Sequence, residues 1–411
     1  METNELKKEI NDYVEKENEK LWKLAIELYD NPELYLREYK TSEILSTFLE
    51  NEGFTVERGV GTLETAFIAS YSKVKGSKPR IDILAELDAI DMGERFPENE
   101  RVQHACGHNI ISTTATGAGT AIKYIMDKYN LQGEIRVVGT PAEEQVGGKI
   151  IMLENGVFDD TDASMVLHPT SGTSKIAGRC KSSMSFEVTY NGFAAHIGNH
   201  REKGINAQDA GVIFYTSIAA LRYQTKDEIQ MFVKFTDVGK EEGIIPSKCK
   251  MLVAVKCFNP LLLDGLAPKI RNCAEGAALA TGCTVEIEEK RGYKGRIYNH
   301  TFEKYLRKNF EMLGEPLKEG MVDDNGGEDF GDVMRKIPGI MPYPTLIPEK
   351  RVSLHTKEYL EHVISPRAKY VVGLGSKVMA YTTLDLLLDP SIIEEAKVEM
   401  AKELQKEKEG E

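Results

Sequence analysis

A self-sufficient pattern of strands and helices sits between two sets of residues with metal-ligand chemistry, and this arrangement limits the folds open to the chain more than any other feature. From about residue 180 to 292 the apolar periodicity reads strand (Met184 to Tyr190), helix (Asn206 to Arg222), strand (Met231 to Val238), strand (Cys249 to Phe258), helix (Leu261 to Ala280) and strand (Thr284 to Glu289). This βαββαβ order predicts a ferredoxin-like layer with a core of its own. Cys106 and His108 precede it and His355 follows it. The chain therefore leaves a first domain, builds the layer and returns. That predicts a discontinuous domain of residues 1–179 and 293–411 around an inserted domain of residues 180–292.

The flanking segments read as α/β. Leu6, Ile10, Tyr13, Val14, Leu21, Leu24, Ala25 and Leu28 recur at helical spacing among charges, and Glu38 to Glu50 reads as a second helix. Strands follow at Phe54 to Glu57, Thr65 to Tyr71 and Arg80 to Leu87, the last within Ala85-Glu86-Leu87-Asp88-Ala89. Glu134 to Thr140 is an apolar strand that runs straight into Pro141-Ala142-Glu143-Glu144, and Ala163 to Leu167 is a shorter one ending at His168-Pro169. Val352-Ser353-Leu354-His355 has the same character. Polar residues at strand ends, along one edge of a mostly parallel sheet, lie where open α/β folds place their sites.

The run His104-Ala105-Cys106-Gly107-His108-Asn109 opens a small-residue helix. A cysteine and a histidine two positions apart can both turn toward one ion, and Gly107 between them removes the side chain that would obstruct the turn. Taken alone, the run fits a packed core cysteine and histidine equally well. Glu143, Glu144, His168 and His355 downstream tip the reading toward a metal centre.

At 411 residues the chain exceeds a single hydrophobic core, so two domains are expected. Its 65 Asp and Glu against 52 Lys and Arg give a net charge of -13, which disfavours nonspecific nucleic-acid binding and supplies no polybasic membrane anchor. The six cysteines show no CxxC spacing and follow no secretory signal, so a reducing, cytoplasmic location is expected. Cys180, Cys249, Cys257, Cys273 and Cys283 lie among apolar or strand-like residues and read as packed thiols. The Glu- and Lys-rich tail from Glu394 reads as a solvated, fraying helix.

The motifs Asn-Pro-Glu-Leu, Ala-Glu-Leu-Asp-Ala, His-Ala-Cys-Gly-His-Asn, Pro-Ala-Glu-Glu, Leu-His-Pro, Ala-Ala-His, Gly-Ile-Asn-Ala, Gly-Glu-Asp-Phe-Gly and Leu-His-Thr occur in that order. Together they resemble the cysteine-containing amidohydrolase branch of metallopeptidase family M-20, which cleaves hippurate, auxin conjugates, aminobenzoyl-glutamate and Xaa-Arg-type dipeptides. The spelling His-Ala-Cys-Gly-His-Asn is most similar to the aminobenzoyl-glutamate and Xaa-Arg dipeptidase group. The resemblance covers nearly the whole chain. It implies a mixed-sheet zinc-peptidase catalytic domain whose inserted ferredoxin-like domain serves as lid and dimerisation surface.

The resemblance also implies two divalent ions. Cys106 matches the bridging ligand, His108 and Glu144 terminal ligands, His168 and His355 the remaining two, and Glu143 the general base. Zinc suits this donor set, with manganese, cobalt or nickel as alternatives. Asp88 matches a carboxylate that orients or neutralises the centre, and His196 a histidine that stabilises the oxyanion in a partner subunit's site. Where the family has Asn, Gly243 precedes Ile244-Ile245-Pro246, so a polar substrate contact is missing. Three readings stay open. Glu86 fits a plain strand-end acid, Glu328 and Asp329 fit a substrate-side loop or an ordinary turn, and Asn206 fits a helix N-cap or a substrate contact.

The expected activity is metal-dependent hydrolysis of a small amide or dipeptide by a homodimer, first as a dipeptidase releasing a C-terminal Arg- or Lys-type residue. Hydrolysis of N-acyl-amino acids or aminobenzoyl-glutamate is the alternative. A thiol hydrolase using Cys106 and His108 would leave the downstream acids unexplained, and a noncatalytic binding protein on this fold would be expected to lack Glu143 or a ligand. No nucleic-acid or membrane partner is expected.

Overall fold

The computed structural model of the protein describes residues 2–410. The apolar stripe near the N-terminus becomes helix α1, Thr3–Tyr29, which buries Leu6, Ile10, Val14, Leu21, Leu24 and Leu28 on one face. Each such side chain stabilises the fold by about 1.5–3 kcal/mol. Helix α2, Tyr39–Asn51, follows. Helix α3, His108–Tyr129, is rich in Thr, Ala and Gly and is buried nearly all round, packed against α1 and the helix Pro366–Leu388. The latter helix is long and apolar enough to cross a membrane, but nearly all of it is buried inside the fold. Packing in the core accounts for its apolarity.

Strands β1 (Thr55–Arg58), β2 (Phe67–Ser72), β3 (Arg80–Glu86), β4 (Glu134–Thr140) and β5 (Ala163–Met165) form one sheet with the short strand Gly339–Ile340. Its order is β1-β2-β4-β3-β5 and then Gly339–Ile340. The first two pairings are antiparallel and the remaining three parallel, so the sheet is mixed. β4, antiparallel to β2 and parallel to β3, is buried along its whole length, as a central strand covered on both faces is. Inside the sheet Asp82 pairs across from Arg136, accepting from its Nε at 2.7 Å and from the Thr161 hydroxyl at 2.8 Å. Because β3, β4 and β5 run parallel, their C-terminal ends share one edge, where Glu86, Glu143, Glu144 and His168 emerge.

Two compact units divide the chain. One holds the chain up to Arg179, Arg296–Asp324 and Glu328–Gln405, and includes this sheet. The tail from Glu394 is a largely exposed helix, as expected, but it is anchored where it begins. The helix Ser391–Glu409 buries Ile392, Ile393 and Ala396 in its first turns, and Glu399 accepts the backbone N–H groups of His300 and Thr301 at 2.7 and 2.9 Å. The tail's charges obscure this apolar anchor, which is too short to show a period.

The second unit holds Cys180–Gly295, Asn325–Gly327 and the segment from Lys406. Its elements are β6 (Ser182–Asn191), α4 (Ala207–Arg222), β7 (Gln230–Asp237), β8 (Lys248–Cys257), α5 (Pro260–Thr281) and β9 (Thr284–Arg291). The sheet order is β7-β8-β6-β9, antiparallel throughout. Phe186, Val188, Tyr190, Met251, Val253 and Val255 alternate inward against Phe214, Ile218 and Ile270 of the helices, giving this unit its own core. Asn206 caps α4 by accepting the Gln208 N–H at 3.0 Å, which accounts for the residue without a ligand. The unit extends beyond residue 292 because Ser183 donates to the Tyr293 carbonyl and Gly295 to the Ser182 hydroxyl, both at 2.8 Å. Lys181 likewise donates to the Gly326 carbonyl at 3.2 Å, and Asn259 Nδ2 to that of Glu407 at 2.7 Å.

Candidate metal centre

The turn into α3 sets the site. Gly107 is its N-cap, with φ +85°, and a Cβ there would lie 2.7 Å from Pro169 Cγ. An L side chain meets both backbone strain and a clash at this position, so the glycine between Cys106 and His108 is required by the turn itself. His108, the first residue of α3, directs Nδ1 to the Asp88 backbone carbonyl at 2.7 Å. Its Nε2 consequently faces Glu86 Oε2 at 3.4 Å, Glu144 Oε1 at 3.8 Å and Glu143 Oε2 at 3.9 Å.

His168 follows the same logic. Its Nδ1 donates to the Pro169 carbonyl at 2.7 Å, and its Nε2 lies 3.1 Å from Cys106 Sγ. The Tyr343 ring flanks it, 5.3 Å between centroids. His355 arrives from far along the chain in a left-handed conformation, φ +59°. Its N–H donates to the Ala105 carbonyl at 3.2 Å, Arg95 Nη1 donates to its own carbonyl at 3.0 Å, and its Nε2 lies 3.3 Å from Glu144 Oε1.

The structure thus brings Cys106, His108, Glu143, Glu144, His168 and His355 together. Their donor atoms form overlapping groups within 4.8 Å: Cys106 with His108 and His168, Cys106 with Glu144 and His355, and His108 with Glu143 and Glu144. Asp88 stands behind them. Its two oxygens accept the backbone N–H groups of Glu143 at 3.1 Å and Glu144 at 3.0 Å, and Oδ1 lies 3.3 Å from His108 Nδ1.

The electrostatics call for a cation. Burial pushes the Cys106 thiol well up, and Glu144, Glu143 and Glu86 add to the effect. Burial also raises the Glu143 carboxyl well above the usual range, reinforced by Glu86 and Glu144. Burial opposes protonation of His108, but the carboxylates of Asp88, Glu86 and Glu144 outweigh it and push the ring up to about 9. Nε2 of His108, Nε2 of His355, Oε1 of Glu144 and Oε2 of Glu86 are buried with no hydrogen-bond partner among the described residues. Such buried polar atoms without partners are costly unless a ligand takes them. Two imidazoles whose Nδ1 atoms face carbonyls are oriented as metal-binding histidines are. The donor set fits divalent ions with mixed sulfur, nitrogen and oxygen ligation.

In the second unit, His196 lies exposed on the two-residue strand Ala195–His196, paired with Ile244–Ile245. Its Nδ1 accepts the Gly198 N–H at 3.1 Å, so Nε2 carries the proton of the neutral ring. Gly243 has φ +75°, open space around its would-be Cβ, and a carbonyl that accepts the Ile197 N–H at 3.0 Å.

The sequence pattern of peptidase family M20/M25/M40 matches residues 83–374. The chain belongs to this peptidase family. It is 31% identical over 418 residues to the Xaa-Arg dipeptidase of Mus musculus, covering 98% of this chain and 94% of that enzyme. It is 29% identical over 316 residues to a p-aminobenzoyl-glutamate hydrolase chain of Escherichia coli (strain K12), covering 75% of this chain and 65% of that one. Among solved structures, the Bacillus subtilis YXEP protein, a dinuclear metal binding peptidase from the M20 family, superposes with a TM-score of 0.69. The identity there is 22%, over 91% of this chain and 99% of that one, and the likeness is one of fold.

In this M20 chain the sequence reading misses Lys149. The residue is fully buried, and its Nζ donates to Glu86 Oε1 at 2.7 Å and Asp329 Oδ1 at 2.6 Å, while its backbone N–H donates to Asp329 Oδ2 at 2.8 Å. Glu86 and Asp329 are therefore members of a buried charge network beside Glu143, not solvated acids. Glu328 likewise pairs with buried Arg296, whose Nε donates to the Gly178 carbonyl at 3.0 Å. The one local signal for Lys149 is a lysine in the apolar run Ile150-Ile151-Met152 directly after Gly147-Gly148.

Proposed function

We propose that the chain is a dinuclear metal-dependent dipeptidase that releases a C-terminal residue of the Arg or Lys type from a dipeptide. The observation that carries the reading is that Cys106 belongs to two ligand triads at once, with His108 and His168 and with Glu144 and His355. Cys106 would then be the ligand shared between the ions, and His108, His168, Glu144 and His355 would hold one or the other. The identity to the mouse Xaa-Arg dipeptidase over nearly the full length of both chains supports the substrate class. Zinc is the first expectation from the donor set, with manganese, cobalt or nickel able to serve.

Bound there, two divalent ions would lower the pKa of a shared water and polarise the scissile carbonyl. Glu143 is the proton carrier. Adjacent in sequence to the ligand Glu144 and 3.9 Å from His108 Nε2, its carboxylate suits a group that takes a proton from the attacking water and delivers it to the leaving nitrogen. Asp88 holds the Glu143 and Glu144 backbone in place, and Glu144 acts as a ligand. His196 presents a protonated Nε2 suited to the oxyanion of the tetrahedral intermediate.

The ferredoxin-like second unit serves as lid and dimerisation domain. Val212, Tyr215, Phe232 and Phe235 of this unit are exposed apolar residues, which supports a homodimer interface there. A reducing cytoplasm suits the free thiols of Cys106, Cys180, Cys249, Cys257, Cys273 and Cys283.

The test is a chelated and metal-restored enzyme assayed against dipeptides ending in Arg, Lys or Orn, aminobenzoyl-glutamate and N-acyl-amino acids. Preference for the basic dipeptides is expected, with activity lost on chelation. Preference for aminobenzoyl-glutamate would reassign the substrate, and activity surviving metal removal but not thiol alkylation would overturn the metal reading. Absence of turnover across the panel with metal bound would favour a binding protein.

A further inference from the structure

Three consecutive backbone N–H groups, those of Ala142, Glu143 and Glu144, are taken by buried carboxylates. Asp88 accepts the second and third at 3.1 and 3.0 Å. The first goes to Glu38 Oε1 at 2.9 Å, across 104 residues of chain. Glu38 is fully buried. The same Oε1 accepts the Leu36 N–H at 2.9 Å, and Oε2 accepts the Thr65 hydroxyl at 2.8 Å.

Both backbone donors on that oxygen belong to strained residues. Ala142 has φ +60° and Leu36 φ +58°, a conformation that costs an L-residue about 1–3 kcal/mol and persists only where its surroundings enforce it. On its other side the Ala142 carbonyl accepts the N–H groups of Gly147 at 2.9 Å and Gly148 at 3.2 Å. A Cβ on Gly148 would lie 1.8 Å from the Pro141 carbonyl oxygen, so the loop closes tightly on itself. If the Glu38 acceptor is removed, the Ala142 N–H is left buried and unpaired, and the residue gains by relaxing out of the left-handed region. That relaxation rotates the peptide from which Glu143 projects.

We propose that Glu38 is a positioning residue for hydrolysis, holding Ala142 left-handed through its N–H and thereby setting the direction in which Glu143 leaves the strand. The proposal rests on the reading of Glu143 as the proton carrier. It assigns a reaction-level role to a residue at the start of α2, outside the donor cluster.

The test compares Glu38→Ala, Glu38→Gln, and Glu38→Ala combined with either Ala142→Gly or Leu36→Gly, all in the full chain loaded with metal. Glutamine can accept both N–H groups through its amide oxygen and donate to Thr65 through its nitrogen, so it should retain turnover. Glu38→Ala should lower kcat by about 10²-fold, the scale of a misplaced catalytic group. KM and metal content should be unchanged, and amide hydrogen exchange across residues 142–144 should quicken. Ala142→Gly should restore much of the lost kcat, since glycine adopts positive φ without a steric penalty. Leu36→Gly should not.

Unchanged kcat in Glu38→Ala, loss in Glu38→Gln equal to that in Glu38→Ala, or rescue by Leu36→Gly in place of Ala142→Gly would each overturn the proposal. Should Glu38→Ala fail to fold, Glu38→Asp withdraws the acceptor while keeping the charge, and the same loss of kcat and protection is expected. If Glu143→Gln itself keeps its turnover, the proton-carrier reading fails separately. The exchange measurement then still decides whether Glu38 holds the turn, and unchanged protection in Glu38→Ala would show that it does not.

Discussion

Cys106 Sγ and His168 Nε2 lie 3.1 Å apart although 62 residues separate them. Their meeting depends on the left-handed turn at Gly107 and on the parallel strand β5 that ends just before His168. The ring cannot turn its Nε2 away without losing the bond from Nδ1 to the Pro169 carbonyl, worth about 1 kcal/mol. The pair is thus preorganised on rigid elements.

Replacing Cys106 with alanine removes the donor shared by the His108–His168 group and the Glu144–His355 group. Metal content after desalting should fall, measured by elemental mass spectrometry. Glu143→Ala should abolish turnover and keep its metal. Equal metal loss in the two variants would refute the separation of ligand from proton carrier.

Gly107→Ala should lower both the melting temperature and metal occupancy. The substitution forces an L-residue to φ +85° and brings its methyl group within 2.7 Å of Pro169 Cγ, at a cost of about 1–3 kcal/mol in backbone strain alone. A variant that melts and binds metal like the parent would show that the turn relaxes freely.

Lys149→Met leaves Glu86 and Asp329 buried without their cation. A loss of about 3–5 kcal/mol is expected, as for other buried ion pairs deprived of one partner. The urea midpoint reports it, and adding Asp329→Asn should recover part of the loss. No shift in the midpoint would mean that solvent reaches the network.

Asp162 gives a pH-dependent test away from the centre. Burial pushes its carboxyl up, but the Arg80 N–H at 2.9 Å and the Lys78 ammonium at 3.0 Å outweigh it, so the group sits below the usual aspartate range. Its stabilisation is complete above the unfolded value of about 3.9 and is lost as pH falls through the lower folded value. Asp162→Asn should therefore be less stable than the parent at neutral pH, by about 1 kcal/mol after solvent screening. Thermal melts should show the difference shrinking below about pH 4, and a gap that persists there would point to lost packing instead.

Some parts of the molecule are legible in the sequence and others are not, for identifiable reasons. The β6 to β9 segment is readable because its strands bury alternate residues, Phe186, Val188 and Tyr190 for example, which leaves a period of two in the text. The paired strands Ala195–His196 and Ile244–Ile245 span two residues each and can show no period. Cys106 and His108 are readable because both ligands and their glycine sit in one turn. Lys149 is not, since its partners Glu86 and Asp329 lie 63 and 180 residues away.

By itself the sequence determined the main strands and helices, the ends of β3, β4 and β5 near which Glu86, Glu143, Glu144 and His168 lie, and that an independent layer interrupts the first domain. The segment Val352–His355, read as strand-like, is instead irregular chain. Only the tertiary structure decided what each acid does. Asp88 and Glu38 hold backbone N–H groups, Glu86 and Asp329 share a buried lysine, and Glu143 and Glu144 are left facing His108. Periodicity records burial, which is local to each segment. The division of labour among chemically identical carboxylates depends on the direction of lone pairs and on distances between segments, and those exist only once the sheet has brought its strand ends together.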